Sequence, residues 1–594
     1  MGRETGPFPV LRRMTAAPSE DARTHLVGLL AQALNTVAPG RTDVAIVLER
    51  PKRAGHGDYA CSIALQLAKP LKRAPRDIAG MLVAAVAASP ALEKAEVAGA
   101  GFINLFLTRG FKQQAVTRVL AAGAAYGHLA LGLRKKVQVE FVSANPTGPL
   151  HVGHGRGAAY GASLANVLSA AGFDVTREYY VNDAGRQMDI LALSTWLRYL
   201  QLCGIDAPFP GNAYQGDYVR TMAQGLRARH GEALCRGVTE ADLRNAQAVD
   251  DDEVRLDRLI ALAREKLGHE YLTVHRLALN EQLEDCRSDL SEFGVTFDRW
   301  FFESSLYESG LIERAIGALE ERGHIYRKDG ARWFRSSAFG DEKDRVVQRE
   351  NGQYTYFASD IAYHLDKSGR GYDVVIDVWG ADHHGYILRV KGALAALGLN
   401  PEQLTIALVQ FAVLYRNGQK VSMSTRAGEF VTLRELRREV GNDAARFFYV
   451  LRKSDQHLDF DLDLAKSRTN ENPVYYVQYA HARICSVIEQ WGGDPGGLSR
   501  AEAERLDSEQ ELALLSRLME YPEIIESAAS ELSPHVIAFY LRELTADFHS
   551  YYNANRILVE EEGVKLARLA LVAAVRQVLR NGLGLLGVSA PEKM

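Results

Sequence analysis

Residues 137–155 read VQVEFVSANPTGPLHVGHG, and the order of features in this stretch decides the fold. Val137 to Ser143 is rich in β-branched residues and reads as a strand. Asn-Pro and Gly-Pro pairs then stop the strand and turn the chain. His151-Val152-Gly153-His154 opens a helical segment of small residues that runs from Gly153 to Ala170. Strand, tight turn and helix N-terminus in that order make the first unit of a doubly wound parallel sheet. The first turn of such a helix offers unpaired N–H groups and the positive end of the peptide dipoles, which suits phosphate. Two imidazoles three residues apart share one face of that turn and can donate to phosphate oxygens. Gly153 and Gly155 allow a nucleotide close to the backbone. A zinc pair is the other reading of two neighbouring histidines. It needs a third ligand and usually an acidic helper, as in H-E-x-x-H, which this stretch lacks.

Downstream, Asp174 to Val181, Asp373 to Trp379 and Thr405 to Phe411 read as further apolar strands, with a helix, Arg389 to Ala396, between the last two. Strands alternating with helices extend the parallel sheet. A polar, helix-rich insertion separates the two halves. Its Glu and Arg runs, such as Glu253 to Arg264, read as solvated faces. Upstream lies an α+β unit, with helical periodicity over Thr24 to Val37, an alternating strand over Asp43 to Leu48, a helix over Ala60 to Ala68 and a closing strand over Gly99 to Leu107. The last segment is helical throughout, and Val564 to Leu586 is its clearest amphipathic stretch. The expected division is a tail at 1–20, the N-terminal unit at 21–110, the catalytic domain at 111–194 and 346–464, the insertion at 195–345 and a helical domain at 465–594.

The bulk numbers agree with several soluble domains. A chain of 594 residues, 47% apolar and 24% charged, is too long for one core and too apolar for disorder. No apolar run approaches the roughly 18–20 residues of a membrane span. Five cysteines without a C-x-x-C pair suggest neither a zinc ribbon nor a disulfide framework, and scattered thiols suit the cytoplasm. With a net charge of −4, any nucleic-acid contact must come from local basic patches.

A second motif lies at 418–428, GQKVSMSTRAG. The histidine motif resembles the His-x-Gly-His signature of class I aminoacyl-tRNA synthetases. The second resembles their Lys-Met-Ser-Lys-Ser loop, with Ser422 and Thr425 standing where the lysines would be. The Met-Ser-Thr-Arg form followed by Gly resembles the arginyl-tRNA synthetase family, and the resemblance extends from about residue 22 to Met594. It implies a Rossmann-type catalytic domain between an N-terminal α+β tRNA-binding domain and a C-terminal helical anticodon-binding domain. It also implies an arginine–tRNA ligase reaction: ATP activates L-arginine, which passes to the terminal ribose of tRNA(Arg). Magnesium would travel with ATP, no protein metal site is implied, and the chain would work as a monomer.

The same resemblance distributes roles. His151, His154, Lys420, Ser424 and Arg426 would act in catalysis. ATP would meet His151, Gly153, His154, Gly155, Asp382, His383, Met423 and Ser424. Arginine would meet Glu140, Ser143, Asn145, His154, Tyr356, Asp360 and His384. A guanidinium has only donors, so carboxylates suit it, and Tyr356 and Asp360, four apart, share one helix face. Asp360 also reads as an ordinary surface carboxylate, and Asp382-His383-His384 as a metal site. Transfer RNA would meet Arg50, Lys52 and Arg53 near one end of the chain, and Tyr475, Tyr479 and Arg483 near the other. Those aromatics suit base stacking, although the spacing of Tyr475, Tyr476 and Tyr479 favours a core position for at least one of the three. A synthetase for another amino acid and an inactive tRNA-binding relative remain the rivals.

Overall fold

The computed structural model describes residues 22–41, 43–51, 54–421 and 431–594. Its centre is a parallel sheet of β1 (Lys136–Glu140), β2 (Asp174–Val181), β3 (Arg299–Phe302), β4 (Val374–Gly380) and β5 (Leu404–Val409). Among the described residues the order across this sheet is β5-β4-β1-β2-β3. The chain builds outward from β1 through β2 to β3, then returns to the other side of β1 for β4 and β5. The strand order therefore reverses between β1 and β4, and the crevice beyond the carboxyl ends of these two strands is where an open sheet receives ligands. Glu140 and Asp377 face each other across that pair.

Helix α1 (Val152–Ala170) follows β1 and lies buried along most of its length. Its small residues make this possible: a Cβ on Gly161 would sit 2.3 Å from the Phe141 ring. Helix α2 (Tyr356–Gly369) leads into β4. The C-terminal part is a bundle of α3 (Pro473–Trp491), α4 (Glu509–Ser530), α5 (His535–Ala554) and α6 (Glu562–Leu585). The helix Arg109–Ala122, which leaves the N-terminal unit, packs against α4 and α6. Buried Arg446 joins distant parts of the chain, donating to Leu586 O at 2.9 Å and Phe293 O at 3.0 Å. No helix among the described residues is long and apolar enough to cross a membrane.

Several elements differ from their sequence expectation. β1 stops at Glu140 rather than Ser143, because Val142 and Ser143 adopt left-handed backbone with φ of 69° and 41°. Arg299–Phe302, placed in the insertion by sequence, is the edge strand of the main sheet, paired in parallel with β2. A three-stranded antiparallel sheet has Ile325–Lys328 and Ala331–Phe334 inside the expected helical insertion and Arg345–Gln348 at its end. In the N-terminal unit the strand is Leu48–Glu49, so only the last residue of the 43–48 run belongs to it. Tyr59–Cys61 is strand before the helix Ile63–Leu71 begins. The strand Leu92–Ala98 has no apolar alternation, since Glu93, Lys94 and Glu96 leave it half-exposed.

Candidate active site

The N-terminus of α1 is capped by its own histidines. His151 is the N-cap and His154 the third helical residue, and the two form a reciprocal capping box. His151 Nδ1 accepts from Gly153 N at 3.0 Å, and His154 Nδ1 accepts from His151 N at 3.3 Å. The rings stack with centroids 3.7 Å apart. Since both Nδ1 atoms accept, each neutral ring carries its proton on Nε2. Burial, reinforced by His151, pushes His154 down to about 3, and burial also lowers His151. Both rings are thus neutral donors at physiological pH. A Cβ on Gly153 would press within 2.8 Å of the His151 ring. On buried Gly155 it would meet Leu433 and Tyr449, each with a side-chain atom 2.8 Å from the Cβ position, so the missing Cβ there serves packing.

Glu140, expected on the guanidinium, has a cation of its own. It is 8% exposed, and its Oε2 accepts from Lys367 Nζ at 2.5 Å. Its Oε1 accepts from Ser143 Oγ at 2.9 Å, and Ser143 Oγ accepts in turn from Tyr180 N at 3.1 Å. These bonds hold the left-handed turn after β1, where a β-branched residue such as Val142 costs about 1–3 kcal/mol. Lys367, 1% exposed, also reaches Asp377 Oδ1 at 2.7 Å. Burial alone would raise the Asp377 carboxyl, but Lys367 and His364 hold it at about 2. Burial raises Glu140 against the pull of Lys367.

Two acids of the crevice, Asp360 and Glu303, are held by hydroxyl and amide donors. Asp360 accepts from the Tyr386 hydroxyl. Glu303, which follows β3, is 2% exposed and accepts from the Asn182 amide at 2.6 Å, in the amide orientation that its neighbours favour. The other end of that amide is 3.3 Å from the Asn145 side chain, which ties Glu303 to the expected site of the α-amino group. Among the described residues no Lys or Arg pairs with either acid. Burial pushes Glu303 up to about 7, with the Asp360 and Asp183 charges adding to it and the Ser359 and Tyr180 hydroxyls opposing. Burial raises Asp360 as well, against its bond with Tyr386. Tyr356 stands at the rim, 54% exposed, beside Gly185. Two uncompensated carboxylates next to an aromatic face suit a guanidinium. Sequence reasoning missed Glu303. Its signal was a lone acid directly after the aromatic run Trp300-Phe301-Phe302.

Asp382, His383 and His384 lie exposed on the turn Ala381–Tyr386 beyond the carboxyl end of β4. Of the three, His383 acts electrostatically on Asp360. No group of three or more His, Cys, Asp or Glu among the described residues could hold a metal. Lys420 is exposed in the short strand Gln419–Lys420. The expectations on Met423, Ser424 and Arg426, and on Lys52 and Arg53, fall outside the described residues.

Arg50 is occupied within the protein, contrary to its expected place on tRNA phosphate. It holds Glu523 at 2.8 Å and the Tyr59 hydroxyl at 2.8 Å, and so fastens the N-terminal unit to α4. On the helical bundle, Tyr475 and Tyr479 stack with centroids 5.9 Å apart and planes 9° from parallel. Arg483 lies over Tyr479 at 5.1 Å. All three are half-buried.

Three family profiles match the chain: "Arginyl tRNA synthetase N terminal domain" over residues 24–107, "tRNA synthetases class I (R), catalytic domain" over 115–201 and 262–463, and "DALR anticodon binding domain" over 477–594. The arginine–tRNA ligase of Azoarcus sp. (strain BH72) is 66% identical over 589 residues, covering 97% of this chain and 100% of the relative. That of Nitrosospira multiformis is 66% identical over 577 residues, covering 97% and 99%. The solved arginyl-tRNA synthetase of Thermus thermophilus superposes with a TM-score of 0.73 at 26% identity, covering 96% of this chain and 100% of the other.

Proposed function

Because the chain belongs to the arginyl-tRNA synthetase family, we propose that the crevice between β1 and β4 divides its work between the histidine turn, which takes ATP, and the Glu303–Asp360 pair, which takes the guanidinium. The protein is an arginine–tRNA ligase of class I and uses ATP. The arginine carboxylate attacks the α-phosphate and pyrophosphate leaves. The terminal ribose hydroxyl of tRNA(Arg) then attacks the mixed anhydride and AMP leaves. No side chain becomes covalently linked, so the chain contributes position and charge stabilisation.

His151 and His154 donate Nε2–H to phosphate oxygens on which charge accumulates, beside the amides of the first turn of α1. Asn145 and Ser143 hold the α-amino end, Asp360 and Glu303 the guanidinium, and Tyr356 covers its face. Asp382 and His383 take the ribose end of ATP. Lys420, Ser424 and Arg426 meet the departing pyrophosphate. Magnesium arrives with ATP and neutralises phosphate charge. Tyr475, Tyr479 and Arg483 offer a stacking surface to unpaired anticodon bases. We read the chain as a monomer of the cytoplasm, where its free thiols stay reduced.

The observation that carries this reading is a pair of carboxylates, buried Glu303 and half-buried Asp360, that no Lys or Arg pairs with among the described residues, in a fold whose β1 leads into a helix N-terminus capped by two neutral histidines. With each of the twenty amino acids offered to total tRNA, only arginine should be charged. His154→Ala should lower kcat by ~10²-fold, the usual loss for one transition-state donor, and leave arginine binding intact. Efficient charging of a second amino acid, or wild-type turnover in His154→Ala, would overturn the reading.

A further inference from the structure

Helix α2 carries two sets of residues. Its first turns present Tyr356 and Asp360 to the pocket. Its later turns bury His364 and Lys367 against the sheet. His364 Nε2 lies 3.0 Å from Asp377 Oδ2, and its Nδ1 lies 2.8 Å from the backbone oxygen of Asp360. The Lys367 ammonium spans the register pair Glu140 and Asp377, at 2.5 and 2.7 Å, where the strand order reverses. The other oxygen of Glu140 holds Ser143, the start of the turn that leads to Asn145. One ammonium therefore connects the helix bearing the guanidinium end of the pocket to the turn bearing its α-amino end.

We propose that Lys367 is a positioning residue that, through Glu140 and Asp377, fixes the distance between the two ends of the amino-acid pocket and so sets the side-chain length it accepts. This rests on the pocket assigned above to Asp360, Glu303 and Asn145. Charge alone distinguishes arginine from neutral analogues but not from homoarginine, which has the same guanidinium on a chain one methylene longer. A pocket rejects one extra methylene by roughly 10–200-fold, and only if its walls hold their separation. A buried ion pair adds little to stability over apolar packing of similar volume, yet it can fix one geometry. Lys367 reaches the pocket through its bonds to Glu140 and Asp377, and its charge also acts on Asp360, so Glu140→Gln, which keeps that charge, isolates the positioning effect.

The test compares Glu140→Gln and Lys367→Met with the wild-type enzyme, using calorimetric dissociation constants for arginine, homoarginine and citrulline. Glu140→Gln leaves a single side-chain oxygen to serve both Lys367 and Ser143, so one bond is lost with almost no change of volume. Both variants should bind arginine more weakly and lose about tenfold of the preference for arginine over homoarginine, while citrulline stays excluded. An unchanged preference in Glu140→Gln would overturn the proposal. So would equal weakening of arginine and homoarginine together with a lower melting temperature, which assigns the cluster to stability alone. If Lys367→Met does not fold, Glu140→Gln decides. Asp360→Asn is the control for the pocket: it should admit citrulline, and if it does not, the pocket assignment fails independently of Lys367.

Discussion

Glu303 is pushed toward neutral pH by burial among like charges, which opens it to titration there. Its carboxyl is pushed up to about 7 from an ordinary value of 4.5. Between those values the folded chain binds a proton that the unfolded chain has released, so this group lowers stability as pH rises through that window. Arginine binding has the opposite sense. The guanidinium stays charged and prefers the ionised carboxylate, so affinity for arginine should strengthen as pH rises from about 6 to about 8. The expected result is a limb near pH 7 in kcat/KM for arginine, absent in Glu303→Gln, whose KM should be raised by ~10²-fold. A wild-type profile flat across that range would remove Glu303 from recognition. The residues legible in sequence were those whose role is local. His151 and His154 share a helical turn by spacing alone, and Tyr356 and Asp360 likewise. The bond of Glu140 to Lys367 was illegible because Lys367 comes from α2, and Glu303 was invisible until β3 docked on the sheet edge.

At the scale of elements, the long periodic stretches were readable and the short half-exposed ones were not. Asp174–Val181 and Glu562–Leu585 follow their patterns closely, because burial of one face dictates their residues. Leu48–Glu49 and Leu92–Ala98 depend on pairing with neighbouring strands, and pairing leaves little trace in a polar segment. The 418–428 loop is legible only as chemistry. Ser422 and Thr425 carry no charge where lysines would face the leaving pyrophosphate, so a neighbouring cation must serve. Arg426 is the better candidate, since a planar fork holds phosphate oxygens in pairs and stays charged. Lys420 is exposed at the edge of a short strand. In pyrophosphate exchange with tRNA present, Arg426→Ala should cut the rate by ~10²-fold with arginine affinity nearly unchanged. A harmless Arg426→Ala beside a crippling Lys420→Ala would transfer the role to Lys420.

Across the whole molecule, the N-terminal unit is fastened to the helical bundle by a small network of charges. Arg50 pairs with Glu523 and lies 3.5 Å from Glu520, while the Tyr59 hydroxyl donates to Glu523 at 2.6 Å. Arg23 adds a second tie, to Glu526 at 3.0 Å. The acids and bases of these two contacts are all only partly exposed. The bundle carries the Tyr475–Tyr479 stack, so this junction holds the N-terminal unit in a set place relative to that surface. A phosphate-binding role and a bracing role for Arg50 make opposite predictions about salt. Losing one phosphate contact should lessen the slope of log affinity for tRNA against log salt by about 0.7–0.9. Losing a brace should leave the slope unchanged, weaken tRNA at every salt concentration, and lower the melting temperature, since Glu523 would then lose its cation beside Glu520, which keeps Arg517 at 2.7 Å. That loss is on the order of 1–3 kcal/mol for charged hydrogen bonds. We expect the second pattern for Arg50→Ala, with KM for ATP unaltered because the histidine turn lies in another domain. Measurement of tRNA affinity across a salt series decides between the two, and a slope reduced by nearly one would return Arg50 to the phosphate backbone.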